Sequence, residues 1–211
     1  MRVPGRIPMN VSAAPAVAAS AERTAPVPGI LTFIIADLIV FAMLFTGFMV
    51  DRSAQVGLYN RSATTLKFHL GILNMLILVT SGLCVVFAVT AAREGRVVAV
   101  RRWILAALFI GAGFGVSKVI EYADKFAHGI GMQTNNFYMY YFALTGAHFL
   151  HFIGGMAALA FIGWRSFRPA SDPGFCNKLE AVGLYWHMVD LLWILIFPLL
   201  YVIGLPWHAC R

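Results

Sequence analysis

The sequence predicts an all-α integral membrane protein built as a bundle of five transmembrane helices. Three observations carry that expectation. Hydrophobic residues make up 60% of the 211-residue chain and charged residues only 12%, about half of the ~25% found in an ordinary soluble domain. Five apolar runs each reach the ~20 residues that a helix needs to cross a hydrocarbon core of ~30 Å. The loops between them are short, which leaves no room for a soluble domain.

Residues 1–29 contain Pro4, Pro8, Pro15, Pro26 and Pro28, which rule out a continuous helix. Their Ala-rich part follows Arg2 and Arg6 in the order of a secretory signal, but Pro15 breaks its weak apolar core. The segment reads as a flexible cytoplasmic tail, and the membrane domain as residues 30–207. The first span, about 30–50, has Asp37 as its only charged residue. The second, about 68–92, holds no Asp, Glu, Lys or Arg. The third, about 103–123, carries Lys118 and Glu121 near its end. The fourth, about 137–164, has His148 and His151 as its strongly polar groups. At ~1.5 Å per residue it exceeds the core thickness and must tilt or protrude. The fifth, about 179–204, holds Glu180, His187 and Asp190, with Pro198 as its candidate kink.

Charge sets an expected orientation. The tail and the loops after the second and fourth spans share one side and carry Arg2, Arg6, Arg23, Arg93, Arg96, Arg101, Arg102, Arg165, Arg168 and Lys178. The other side carries Arg52, Arg61, Lys67, Lys125 and Arg211. The positive-inside rule then puts the N-terminus inside and the C-terminus outside. The net charge of +7 is a matter of loops facing anionic lipid, not of a nucleic-acid patch. Cys84, Cys176 and Cys210 lack CxxC or zinc spacing, and Cys84 reads as a small packing residue.

The polar groups inside the spans recur at i,i+3, which stacks them on one helix face: Lys118 with Glu121, His148 with His151, His187 with Asp190. Glu180 lies seven residues before His187 and on nearly the same face. With Asp37, these groups should turn inward, because lipid offers them no partner. Three readings are open. The histidines could hold a metal or haem, although the repeated Glu-x-x-His sets of a ferritin-type site are absent. The carboxylates and histidines could form a proton or ion path. Or Asp37, Glu121, His148, His151, Glu180, His187 and Asp190 form one buried network that fixes helix register. Asn74, Gly111, Gly115 and Gly154 read as helix-packing positions, and Gly129-Ile130-Gly131 as a turn. Tyr138, Tyr140, Tyr141 and Trp207 read as an interfacial aromatic belt.

Taken in order, these landmarks resemble subunit III of the haem-copper oxidases. Tyr185-Trp186-His187-Met188-Val189-Asp190-Leu191-Leu192-Trp193 resembles that family's YWHFVDxxW signature, preceded by Glu180-Ala181. Thr145-Gly146-Ala147-His148-Phe149-Leu150-His151 resembles TGFHGLHV, and Glu121-Tyr122 its Q-x-x-EY. Leu73-Asn74 with Ser81-Gly82 resembles its LNTxxLxxSG helix, and Asp37 falls at the glutamate of its first-span motif. The resemblance implies an accessory subunit of the bacterial inner membrane without a cofactor of its own. Haem, iron or copper would sit in a catalytic partner subunit, and phospholipid would be the ligand bound here. Asp37 would be the carbodiimide-reactive carboxylate, a role that needs its protonated form. The departures point within the family. The chain has five spans where others have seven, the 51–67 linker lacks a Trp-Pro-Pro element, Asp37 replaces Glu and Lys118 replaces Gln. They resemble the NorE-type proteins associated with nitric oxide reductase, with a short five-helix oxidase subunit as the alternative. An independent haem- or metal-binding enzyme and a small transporter are the remaining alternatives.

Overall fold

The computed structural model of the protein describes residues 28–167 and 174–202. Residues 1–27 of the predicted tail, Trp207 and the end of the fifth span lie outside the described residues, and Pro28 and Gly29, read as the end of that tail, open the first helix. Six α-helices follow one another: α1 (Pro28–Ala54), α2 (Val56–Ala63), α3 (Phe68–Arg93), α4 (Val97–Ala127), α5 (Asn136–Arg165) and α6 (Phe175–Phe197). At Pro198 the last helix widens into a π-helical turn, Pro198–Val202. Proline has no N–H to continue the α-helical ladder. Five of these helices are long and apolar enough to cross a membrane. They make the chain a multi-pass protein, as expected.

One element was not expected. Residues 51–67, read above as a plain loop, contain α2, which folds back against α5. Eight residues with Asn60, Arg61 and Ser62 among them leave too little apolar sequence to announce a helix. Its buried residues, Tyr59, Ser62 and Ala63, share one face. Tyr59 meets Phe48 and Phe137 edge to face, at 5.1 and 5.6 Å between ring centroids. All five long helices also run past a predicted end, α3 and α5 by a single residue, α1 and α6 by up to four and α4 by up to six, because helical pitch continues into the polar residues that flank each apolar run.

Helices α3, α4, α5 and α6 form the central bundle. Consecutive spans run antiparallel: Ser81 meets Ala107 and Ile77 meets Gly113 across α3 and α4. Likewise Gly71 meets Phe197, and Gly82 meets Asp190, across α3 and α6. α1 lies outside this bundle, on α5 and α6. Close approach depends on small residues. A methyl group at Gly155 would sit 2.8 Å from the Trp186 ring, and one at Gly111 would sit 3.2 Å from both Ser81 Oγ and Met156 Sδ. Gly129, with φ +72°, makes the turn that ends α4.

Candidate functional site: four polar clusters in an apolar bundle

The seven predicted polar residues do not form one network. The structure separates six of them into four clusters and leaves His148 apart from all four, because helix neighbours, not sequence spacing, decide which groups meet.

The most enclosed cluster joins α4, α5 and the end of α6. Lys118 Nζ donates to Glu121 Oε2 at 2.7 Å and to the Tyr201 hydroxyl at 3.2 Å. The hydroxyls of Tyr141 and Tyr201 both donate to Glu121 Oε1 at 2.7 Å. Lys118 Nζ also stands 4.6 Å from the ring centroid of Trp193, a favourable position for a cation over the negative face of an indole. Lys118 is fully buried and Glu121 nearly so. Every oxygen of the carboxylate has a donor, which is the condition under which a buried ion pair is tolerated. Lys125, one turn beyond Glu121, is buried between the rings of Tyr138 and Tyr141, at 5.4 and 5.3 Å. Tyr138 and Tyr141 are thus core residues and not part of an interfacial belt. Their role was missed because a tyrosine near a span end is usually an interfacial residue.

The second cluster ties α1 to α5. His151 Nδ1 lies 2.7 Å from the Ala147 carbonyl, and its Nε2 lies 3.2 Å from Asp37 Oδ2. A carbonyl only accepts, so Nδ1 carries a proton. A hydrogen bond between Nε2 and Oδ2 therefore requires a proton on that ring nitrogen or on the carboxyl. Phe41 packs edge to face on the same ring at 5.7 Å.

His148 turns the other way. Its Nε2 donates to the Val189 carbonyl of α6 at 3.0 Å, and its Nδ1 is buried without a partner. The ring lies between Phe114 and Trp193. His148 and His151 therefore serve different helices. They do not converge as a chelating pair, and among the described residues no three His, Cys, Asp or Glu side chains are placed to hold a metal ion. Asn74 is wholly enclosed, and both its side-chain polar atoms lack a partner among the described residues.

The third cluster is His187 with Asp190, their Nδ1 and Oδ2 3.6 Å apart. Neither contacts Glu121, His148 or His151, the partners their spacing invited. Asp190 lies against Gly82, where any side chain would collide with the carboxylate. Asp190 is buried but His187 is not: 43% of its side chain is exposed.

The fourth is Glu180, which accepts from Arg93 Nε at 2.8 Å. Both are partly exposed, so Glu180 belongs to the rim and not to the membrane interior. The arginines near it have protein partners as well as any lipid. Arg96 pairs with Glu94. Arg101 grips the Ser166 carbonyl with Nε at 2.9 Å and Nη2 at 2.6 Å, where α5 leaves carbonyls unpaired.

At the α2 end, Tyr59 donates to Asp51 Oδ2 at 2.5 Å and Asn136 Nδ2 approaches Asp51 Oδ1 at 3.3 Å. Burial, and then the Asp51 carboxylate, push the Tyr59 phenol well above the usual tyrosine range.

Known proteins place the pattern. A family model described as "Cytochrome c oxidase subunit III" matches residues 23–205. The chain is 30% identical over 177 residues to cytochrome c oxidase subunit 3 of Corynebacterium diphtheriae, spanning 83% of this chain and 86% of that protein. It is 30% identical over 180 residues to cytochrome c oxidase subunit 3 of Thermostichus vulcanus, with the same coverage. Cytochrome bo(3) ubiquinol oxidase subunit 3 of Pseudomonas putida is 28% identical over 177 residues, 83% of this chain and 84% of that protein.

Proposed function

From the premise that this chain belongs to the cytochrome c oxidase subunit III family, we propose that it is a NorE-type accessory subunit supporting assembly, stability or activity of a nitric oxide reductase complex. Subunits of this family are non-catalytic accessory subunits that associate with the catalytic subunits of haem-copper oxidases. Five apolar helices and bacterial relatives make the chain a multi-pass protein of the bacterial inner membrane. The haem, iron and copper chemistry is assigned to the partner, and the chain's own ligand to phospholipid. Asp37, set against His151, is assigned the carbodiimide-reactive role.

The observation that carries the finer reading is the Lys118–Glu121 cage. Lys118 stands where the oxidase pattern has an uncharged glutamine, and the fold gives it a full set of partners. Asp37 in place of glutamate supports the same branch. The number of spans does not, because the matched oxidase subunits are covered over 86% of their length by a chain of this size. That similarity favours a second reading, a short subunit III of a terminal oxidase.

Affinity purification of the tagged chain from native membranes separates the two. Co-purification of a haem protein that consumes nitric oxide is the expected result. Co-purification of an oxygen-consuming copper-containing oxidase would establish the second reading instead. If the isolated chain itself shows a stoichiometric Soret band, both fail.

A further inference from the structure

We propose that the strip of α6 exposed between α1 and α3 is the docking face for a transmembrane helix of the haem-bearing catalytic subunit, with His187, backed by the buried Asp190, as its polar anchor. The inference rests on the accessory-subunit reading above. Contacts on either side define the strip. Tyr185 packs on Phe33 of α1, ring centroids 6.1 Å apart, and Asp190 packs on Gly82 of α3. Between them Leu184, His187 and Leu191 face outward, three and four residues apart, the spacing along which a second helix packs. Val79 and Val86, exposed one turn before and one turn after Gly82, carry the face across α3.

What distinguishes this face from ordinary lipid-facing surface is polarity at depth. His187 and Asp190 both lie against Gly82, the fifteenth of the 26 residues of α3, and so near the middle of that crossing of a ~30 Å hydrocarbon core. Its one polar contact among the described residues is Asp190 at 3.6 Å, beyond hydrogen-bond length. Nε2 is therefore left for an outside group. Asp190 Oδ1 is buried with no partner and is out of an occupant's reach, so the exposed His187 ring is the group that a lipid chain leaves unsatisfied. The outward face of α4, by contrast, presents Phe109 at comparable depth, 85% exposed, which lipid solvates well. The occupant of the α6 strip must bring a hydrogen-bonding group to mid-membrane on an otherwise apolar surface. A transmembrane helix with one polar side chain does so.

The test uses the tagged full chain in its native membrane, with a photoreactive phenylalanine analogue replacing Leu191 or, as control, Phe109. Irradiation should join the Leu191 variant to the haem-bearing subunit and leave the Phe109 variant unjoined. Leu184 replaces Leu191 if that variant fails to accumulate. A crosslink from Phe109 alone overturns the proposal. So does a Leu191 product containing only lipid or only a second copy of this chain. A second arm compares haem recovered with the tag: His187→Leu should lower it at least fivefold and His187→Gln should retain most of it. Equal recovery for both and the unmodified chain removes His187 from the anchor. If the unmodified chain recovers no haem protein, the accessory-subunit reading has failed before any crosslink is made.

Discussion

Lys118 and Glu121 show how a charge pair survives inside an apolar bundle. Their separation of three residues was legible in the sequence. Their cover was not, since Tyr141 and Tyr201 come from twenty and eighty residues further along the chain. Removing one member strands the other, which costs about 3–5 kcal/mol. Lys118→Met or Glu121→Gln should therefore lower the unfolding midpoint in detergent sharply, and the double replacement Lys118→Met/Glu121→Leu should recover most of the loss. His148 and His151 teach a related lesson. Their spacing was visible, yet one binds a backbone carbonyl and the other a carboxylate on a different helix. No residue-type pattern encodes a carbonyl. Tyr59 adds a pH dependence outside the membrane spans. Its phenol titrates higher in the fold than in the unfolded chain, so the stabilisation is complete below the unfolded value of about 10. It is lost as pH rises above that value. Alkaline unfolding of Tyr59→Phe should accordingly be less steep in pH than that of the unmodified protein, as thermal melts between pH 8 and 11 would record (roughly the range around that tyrosine value).

At the scale of elements, the five long helices were readable because each carries more apolar residues than a bilayer crossing needs, and nothing else in a short chain can bury them. α2 was not readable, being short, polar and held in place by tertiary contacts of Tyr59. Helix ends depended on local chemistry. Asn135 caps α5 by accepting from the Tyr138 N–H at 3.0 Å, so Asn135→Ala should cost about 1 kcal/mol, measurable as a lowered melting midpoint without loss of helical signal. α1 is the peripheral span. Its Asp37–His151 contact and the Phe41 ring attach it to α5, as do Phe48 on Tyr140 and Asp51 on Asn136 toward its end, whereas the central four helices interlock through glycines and aromatic rings.

For the molecule as a whole, the fold class followed from composition and periodicity, while the division of the polar residues into four clusters followed only from helix adjacency. Which helix lies beside which is set by shape, through positions such as Gly82 and Gly155 that admit no side chain. The expected orientation has its own test. Single cysteines at Arg61 and at Glu94, placed in a chain with its native cysteines replaced, should react with a membrane-impermeant maleimide in intact spheroplasts at position 61 and not at 94. The reverse pattern would invert the topology.

The spacing within the Lys118–Glu121 pair also bears on how the chain is made. Translocation delivers spans in order, so α4 reaches the bilayer before the tyrosines that finally enclose its ions have been synthesised. Because acid and base sit one turn apart on the same helix, the segment carries its own counter-ion through that interval. The ion pair is a passenger that needs no escort, and the later helices arrive to seal it.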